Sequence, residues 1–308
     1  MVKNRINRWL LGGVILYSLL VTVGCGTQSD IKQGQTENNQ TEMQVPEEEQ
    51  QALEKQTEDE VDVQVTSENK LEGLQLAILG DSLSAFEGYI PEGYNVFFPY
   101  SGDVTEVDQM WWKQLLDETG MELCANASSS GSTCSGDSLS MDNVMYGCSE
   151  YRIADLVGRD GTYPDVIIVY MGTNDLLKSI PIGENDGTVY VEEGNIEDFS
   201  DAYCLMLEKL ETQYPCARIF CCTLTEIGEW GEEQPFVTFE NGIGLTAKDY
   251  SETIRKIATA KGYTVMDLEY CGITIDNMQQ FISDGVHFNP EGMKMIEGVI
   301  YRTLEENY

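Results

Sequence analysis

Histidine occurs once in the 308 residues, at position 287. That scarcity excludes an HExxH zinc site and any histidine-rich metal cage. Basic residues are also few: 18 Lys and Arg stand against 53 Asp and Glu, for a formal net charge of −35. A nucleic-acid partner is excluded on that balance, because phosphate binding needs clustered cations. Anionic lipid head groups would be repelled by the same surface. No GxxxxGK[ST] phosphate loop is present, and no CxxC pair. Gly242-Ile243-Gly244-Leu245-Thr246-Ala247 matches GxGxxA, but it follows a proline-containing loop where a dinucleotide site needs a strand. Neither a metal ion nor an organic cofactor is expected.

What is present begins with an export pattern at 1–25. Lys3, Arg5 and Arg8 precede an apolar run from Trp9 to Val23. The run is shorter than the ~20 residues that span a bilayer comfortably. It ends Val23-Gly24-Cys25, which resembles a bacterial lipoprotein signal with Cys25 as the lipidated residue; Thr22 departs from the leucine usual there. The expected location is therefore extracytoplasmic, with the membrane reached only through this N-terminal anchor, or by secretion as the alternative. Residues 26–72 are rich in Gln, Glu, Thr and Asn, and carry too little apolar surface to offset the entropy of ordering. They are expected to be a disordered acidic tether. The remaining 73–308 is long enough for one sizeable core, and a monomer is expected.

Within 73–308, short apolar runs predict strands at 74–80, 122–125, 165–171, 218–224 and 263–268. Helical spacing predicts helices over 108–118, 149–157, 196–213 and 247–261, a short one at 275–282, and a last one opened by Pro290. An Asn185-Asp186-Gly187 turn predicts a small hairpin over 181–194. Residues 225–246 are expected to be a long loop. Strands alternating with helices imply right-handed crossovers and a mainly parallel sheet covered on both faces. The chemistry of such a sheet lies in loops just past the strands' carboxyl ends. Ser82, Gly131 and Asn174 each follow a predicted strand in that way.

Asp284 lies three residues before the lone histidine, within reach of its ring. The pair fits a carboxylate orienting a general base; a structural histidine with a chance acidic neighbour would leave the same pattern. Ser82, in a Gly-Asp-Ser turn, is a weak nucleophile unless a base takes its proton, and His287 is the only imidazole available. Attack on a carbonyl also needs oxyanion donors. Asn174 offers a side-chain NH2, while Gly131 and Ser82 offer backbone N–H groups.

Four segments carry a resemblance: Gly80-Asp81-Ser82-Leu83-Ser84, Asn126-Ala127-Ser128-Ser129-Ser130-Gly131, Gly172-Thr173-Asn174-Asp175 and Asp284-Gly285-Val286-His287. Together, and in this order, they resemble the four blocks of the SGNH/GDSL hydrolase family over about 74–306. The resemblance implies a flavodoxin-like three-layer α/β/α sandwich with a central five-stranded sheet. It implies an esterase in which Ser82 is the nucleophile, His287 the base and Asp284 its orienting acid. Ser82, Gly131 and Asn174 would form the oxyanion hole. Ser128 stands where the family often has glycine, which bears on the choice of backbone donor.

The substrate is less sharply marked. Tyr89, Tyr94, Phe97, Phe98, Trp111 and Trp112 follow Ser82, and Trp230 and Phe236 lie in the 225–246 segment. Aromatics beside a site can stack on sugars, although core packing accounts for most of them. No long hydrophobic lid segment is evident. A short acyl ester, such as acetyl on a glycan, is expected as substrate. A lipase or thioesterase on longer chains, or a non-catalytic glycan-binding lipoprotein, is the alternative. Of the eight cysteines after Cys25, those in strands read as apolar packing, and a bridge is expected only between Cys134 and Cys148.

Overall fold

The structure, a computed structural model, describes residues 69–141, 144–230 and 236–308. The export pattern over 1–25, Cys25 and all of the tether before residue 69 lie outside them.

Among the described residues, nine strands occur in chain order: β1 (Gln75–Gly80), β2 (Glu122–Asn126), β3 (Gly136–Asp137), β4 (Val166–Tyr170), β5 (Asn195–Ile196), β6 (Arg218–Cys222), β7 (Gly228–Trp230), β8 (Phe236–Thr238) and β9 (Thr264–Met266). The helices are α1 (Trp111–Thr119), α2 (Glu150–Ala154), α3 (Thr173–Leu177), α4 (Phe199–Gln213), α5 (Ala247–Lys261) and α6 (Pro290–Asn307). Five strands form one sheet in the order β2-β1-β4-β6-β9, and every pairing in it is parallel. This is the flavodoxin-like order, and chain direction across the sheet reverses between β1 and β4. In sheets of this order ligands bind past the carboxyl ends at that point, and here the segments after Gly80 and Tyr170 meet there, Asn174 Nδ2 donating to Asp81 Oδ2.

Strand β4 is buried along its whole length, as a strand covered on both faces must be. The helices stop and start on local chemistry. Gly120 closes α1 and Gly262 closes α5, both in the left-handed conformation that favours glycine. Asp198 caps α4 by accepting from the Asp201 N–H. Asn289 caps α6, and Pro290 occupies its first turn.

Several expectations need correction. No strand forms within 181–194; Asn185 Oδ1 accepts from Gly187 N at 3.0 Å and Val189 N at 3.4 Å, so the Asn-Asp-Gly turn closes on its own side chain. The following residues, β5, pair antiparallel with β3 instead. The expected helix over 275–282 shrinks to one 3-10 turn, Met278–Gln280. The 225–246 segment carries an antiparallel hairpin, β7 with β8. Cys134 and Cys148 are free thiols, as are the other six described cysteines; the pair is joined instead by a backbone hydrogen bond from Cys148 N to Cys134 O at 3.1 Å.

One contact between α1 and α6 is unfavourable at neutral pH. Glu297 on α6 is buried, and its Oε1 lacks a hydrogen-bond partner. Burial, and then the nearby Glu118 carboxyl on α1, push it up from an ordinary 4.5 to about 7, against the opposing charges of Lys294 and Arg302. The folded state therefore holds a proton that the unfolded chain releases between those two values. Stability falls as pH rises through that window and stays lower above it. Glu297→Gln removes the penalty. We expect its melting temperature to exceed wild type by roughly 2–4 °C at pH 8 and to match it at pH 4, as read by thermal denaturation at the two pH values.

Candidate active site

Strand β1 ends in Gly80, and the chain turns at once into a single 3-10 turn, Ser82–Ser84. Asp81 caps that turn through Oδ1, which accepts from Leu83 N at 3.0 Å. Glycine at position 80 leaves room for two serines: a Cβ there would lie 2.7 Å from Ser128 Oγ and 3.1 Å from Ser84 Oγ and would push those hydroxyls aside. Ser84 is the hub behind the turn. Its Oγ accepts from Trp111 Nε1 at 3.1 Å, and its carbonyl accepts from Trp112 Nε1 at 3.2 Å and Asn126 Nδ2 at 3.0 Å. Both adjacent tryptophans are therefore core residues that fix the Ser82 turn, and neither is a ligand platform.

Arg152 on α2 is fully buried and ties the first two motif segments together. Its Nε donates to Ala127 O at 2.6 Å, one terminal nitrogen to Gly80 O at 2.7 Å, and the other to Val144 O at 2.8 Å. Burial pulls the guanidinium down to about 10, so it stays charged at neutral pH. Asp175 does the equivalent for the second and third segments. Its carboxylate accepts from Cys134 N, Ser135 N and Ser135 Oγ at 2.7, 3.0 and 2.6 Å.

Asp284, His287 and Ser82 form a continuous hydrogen-bonded line. Asp284 Oδ2 lies 2.7 Å from His287 Nδ1, and His287 Nε2 lies 2.9 Å from Ser82 Oγ. The other Asp284 oxygen accepts from His287 N at 2.7 Å and Val286 N at 2.9 Å. Burial works to raise this carboxyl. The His287 ring and the two backbone donors outweigh it together and hold the group at about 2. Gly285, between them, has φ of +89°, and a Cβ there would fall 2.0 Å from Gly228 O. The turn therefore closes against the β7–β8 hairpin only with glycine. A further contact completes the imidazole's surroundings: Phe97 stacks on its face, with ring centroids 3.7 Å apart and planes 15° apart.

Asn174, in the first turn of α3, is buried, and its Nδ2 donates one hydrogen to Asp81 Oδ2 at 3.3 Å. The second amide hydrogen is left over. Asp81 is itself fully buried and pushed up to about 6, by burial first, with Asp175 adding to the rise and Leu83 N and His287 opposing it. Gly131 sits at φ of +79° in the Ser129–Ser132 turn, which is closed by Ser132 N to Ser129 O at 3.2 Å. That turn needs glycine at its third position. Lys178 Nζ donates to Gly131 O at 2.7 Å and holds the peptide from the outside. Ser128 N donates to Asn126 Oδ1 at 3.2 Å, so that N–H is committed. Among the described residues, the Gly131 and Ser82 N–H groups have no hydrogen-bond acceptor.

Besides Arg152, three contacts at the site are not marked in the sequence: Asp81 as partner of Asn174, Lys178 on Gly131, and Phe97 on His287. The short spacing from Asn174 to Lys178 was the only hint of the second. No signal marks the other two, because each joins segments far apart in the chain. Among the described residues, no group of three or more His, Cys, Asp or Glu is placed to hold a metal ion.

Fold and site together define a class: a doubly wound α/β protein whose strand-end loops carry a serine, an imidazole and a carboxylate in hydrogen-bonded sequence. The family model for GDSL-like lipase/acylhydrolase matches residues 74–237, and the chain belongs to that family. A Bacteroides uniformis protein classed with GDSL-like lipases is 25% identical, with a TM-score of 0.56, over 76% of this chain and 96% of its own. A Bacteroides ovatus protein of the same class is 24% identical, TM-score 0.56, over 76% and 99%. A Lactobacillus plantarum protein is 22% identical, TM-score 0.56, over 77% and 99%. No curated protein matches the chain. Family membership supports hydrolase activity.

Proposed function

We propose that this protein is a serine esterase that cleaves short acyl esters, such as acetyl groups on a glycan. The observation that carries the reading is the unbroken line from Ser82 Oγ through His287 to Asp284, at 2.9 and 2.7 Å. In the proposed reaction His287 Nε2 takes the Ser82 proton as Oγ attacks the acyl carbon. The carbonyl π electrons move onto oxygen, which is held by Ser82 N–H, Gly131 N–H and the free Asn174 hydrogen. Collapse of that intermediate breaks the ester C–O bond, and the departing alcohol takes the proton from His287. Water, activated by the same imidazole, then hydrolyses the acyl-serine and restores the enzyme. Asp284, held near 2, stays anionic throughout and stabilises the protonated ring.

Short acyl groups are favoured because the sequence has no long hydrophobic lid segment; the described part of 225–246 mixes exposed Glu229 and Thr238 with exposed Trp230 and Val237, too little apolar surface to cover a long acyl chain. Initial rates on p-nitrophenyl esters of increasing chain length test this. The highest kcat/KM is expected for acetate, and a preference for long acyl chains contradicts it. Asn174→Ala is expected to lower kcat by about 10²–10³. A change under about threefold in the same assay removes Asn174 from the oxyanion hole.

A further inference from the structure

Most of the aromatics near the site are spoken for. Tyr94, Phe98, Trp111, Trp112 and Phe236 are buried, and Phe97 lies on the His287 ring. Tyr89 is tilted against Trp112, with ring centroids 5.2 Å apart. Trp230 differs. It is 66% exposed, at the end of β7. An indole so exposed keeps apolar surface available for a ligand to pack on.

Its position is tied to the catalytic turn by a short series of contacts. Gly228 N donates to Gly285 O at 2.9 Å, so β7 is bonded to the residue two before His287. The Phe236 ring edge comes within 3.5 Å of where a Gly285 Cβ would be. Trp230 pairs with Phe236 across the hairpin, with ring centroids 4.6 Å apart and planes tilted by 35°. Directly paired residues share a face, so Trp230 lies on the same side of the ribbon as Phe236, whose ring edge reaches Gly285; at its Gly228 end this face packs on Met278 and Ile275. Phe236 fills the space beneath, and the indole extends beyond it.

We infer that Trp230 is a sugar platform: its free indole face stacks on a pyranose ring in the alcohol part of the ester that Ser82 attacks. The indole offers one flat apolar face, which matches the C–H face of a pyranose. Thr238, exposed and paired with Gly228 on the face that carries Trp230, offers a hydroxyl to those of the sugar. The charge of −35 disfavours an anionic ligand and leaves a neutral polyol unaffected. The inference rests on the esterase reading and names the substrate class of that same site.

The test compares wild type, Trp230→Ala and Trp230→Phe on two esters. One is acetylated xylotriose; the other is ethyl acetate, which has no ring to stack. On the glycan ester, Trp230→Ala is expected to raise KM about tenfold with kcat little changed, since remote binding is lost equally in ground and transition states. Trp230→Phe recovers part of that loss, and kinetics on ethyl acetate stay as in wild type. An unchanged KM for the glycan ester in Trp230→Ala overturns the inference. So does an equal loss on both esters. A wild type that cleaves ethyl acetate but not acetylated xylotriose overturns the sugar assignment alone, and one that cleaves neither removes the esterase reading on which it rests.

Discussion

His287→Ala is expected to lower kcat for p-nitrophenyl acetate by about 10⁶. The size follows from the composition. There is one histidine in the chain, so no neighbouring imidazole can take over. Asp284, bonded to the ring that is lost, is lowered partly by that ring; without it the group moves back toward the ordinary carboxylate range and is still far too weak a base to deprotonate a serine. Asp81 is behind the nucleophile turn, bonded to Leu83 N and Asn174. The remaining activity is that of the oxyanion donors and binding, about 10³–10⁴ over water. The cavity left beneath Phe97 is flat and matches an imidazole, so added free imidazole is expected to restore part of the rate. A loss of less than about tenfold on His287→Ala would remove the ring from the mechanism.

Ser82→Ala is expected to cost as much, about 10⁶ in kcat, and the double variant no more than either single one. In the proposed mechanism Ser82 and His287 act as one unit: without Oγ the base has no proton to take, and without the base Oγ stays protonated. Steady-state kinetics of both single variants and the double variant check this. Losses that multiply would mean that the two residues act in separate steps, against the 2.9 Å hydrogen bond between them.

Much of the sheet was legible because parallel strands buried on both faces leave continuous apolar runs, as at Val166–Tyr170. Helices with strong local punctuation were equally legible, such as α5, which Gly262 closes, and α6, which Pro290 opens. Short elements were not. β7 and β8 have three residues each, too few for alternation to register, and they are stabilised by backbone contact with Gly285. α3 starts inside the Gly172–Asp175 motif and has no apolar periodicity of its own. The hairpin expected over 181–194 failed because a single asparagine side chain replaced the strand partner.

The site divides along the same line. Ser82, Gly131, Asn174, Asp284 and His287 stand in recognisable segments. How the positioning groups meet them is not legible there: Asp81 meets Asn174 across 93 residues, and Arg152 meets Gly80 across 72. Such contacts are products of the strand order. They could be anticipated only once β1 and β4 were known to be neighbours.

The central claim is that the imidazole makes Ser82 a nucleophile, and covalent labelling tests it most directly. Wild-type protein treated with a fluorophosphonate is digested and the peptides are analysed by mass spectrometry. The expected result is one adduct per chain, on Ser82, absent from Ser82→Ala and greatly slowed in His287→Ala. An adduct on another residue, or ester hydrolysis that persists while Ser82 remains unlabelled, would contradict it.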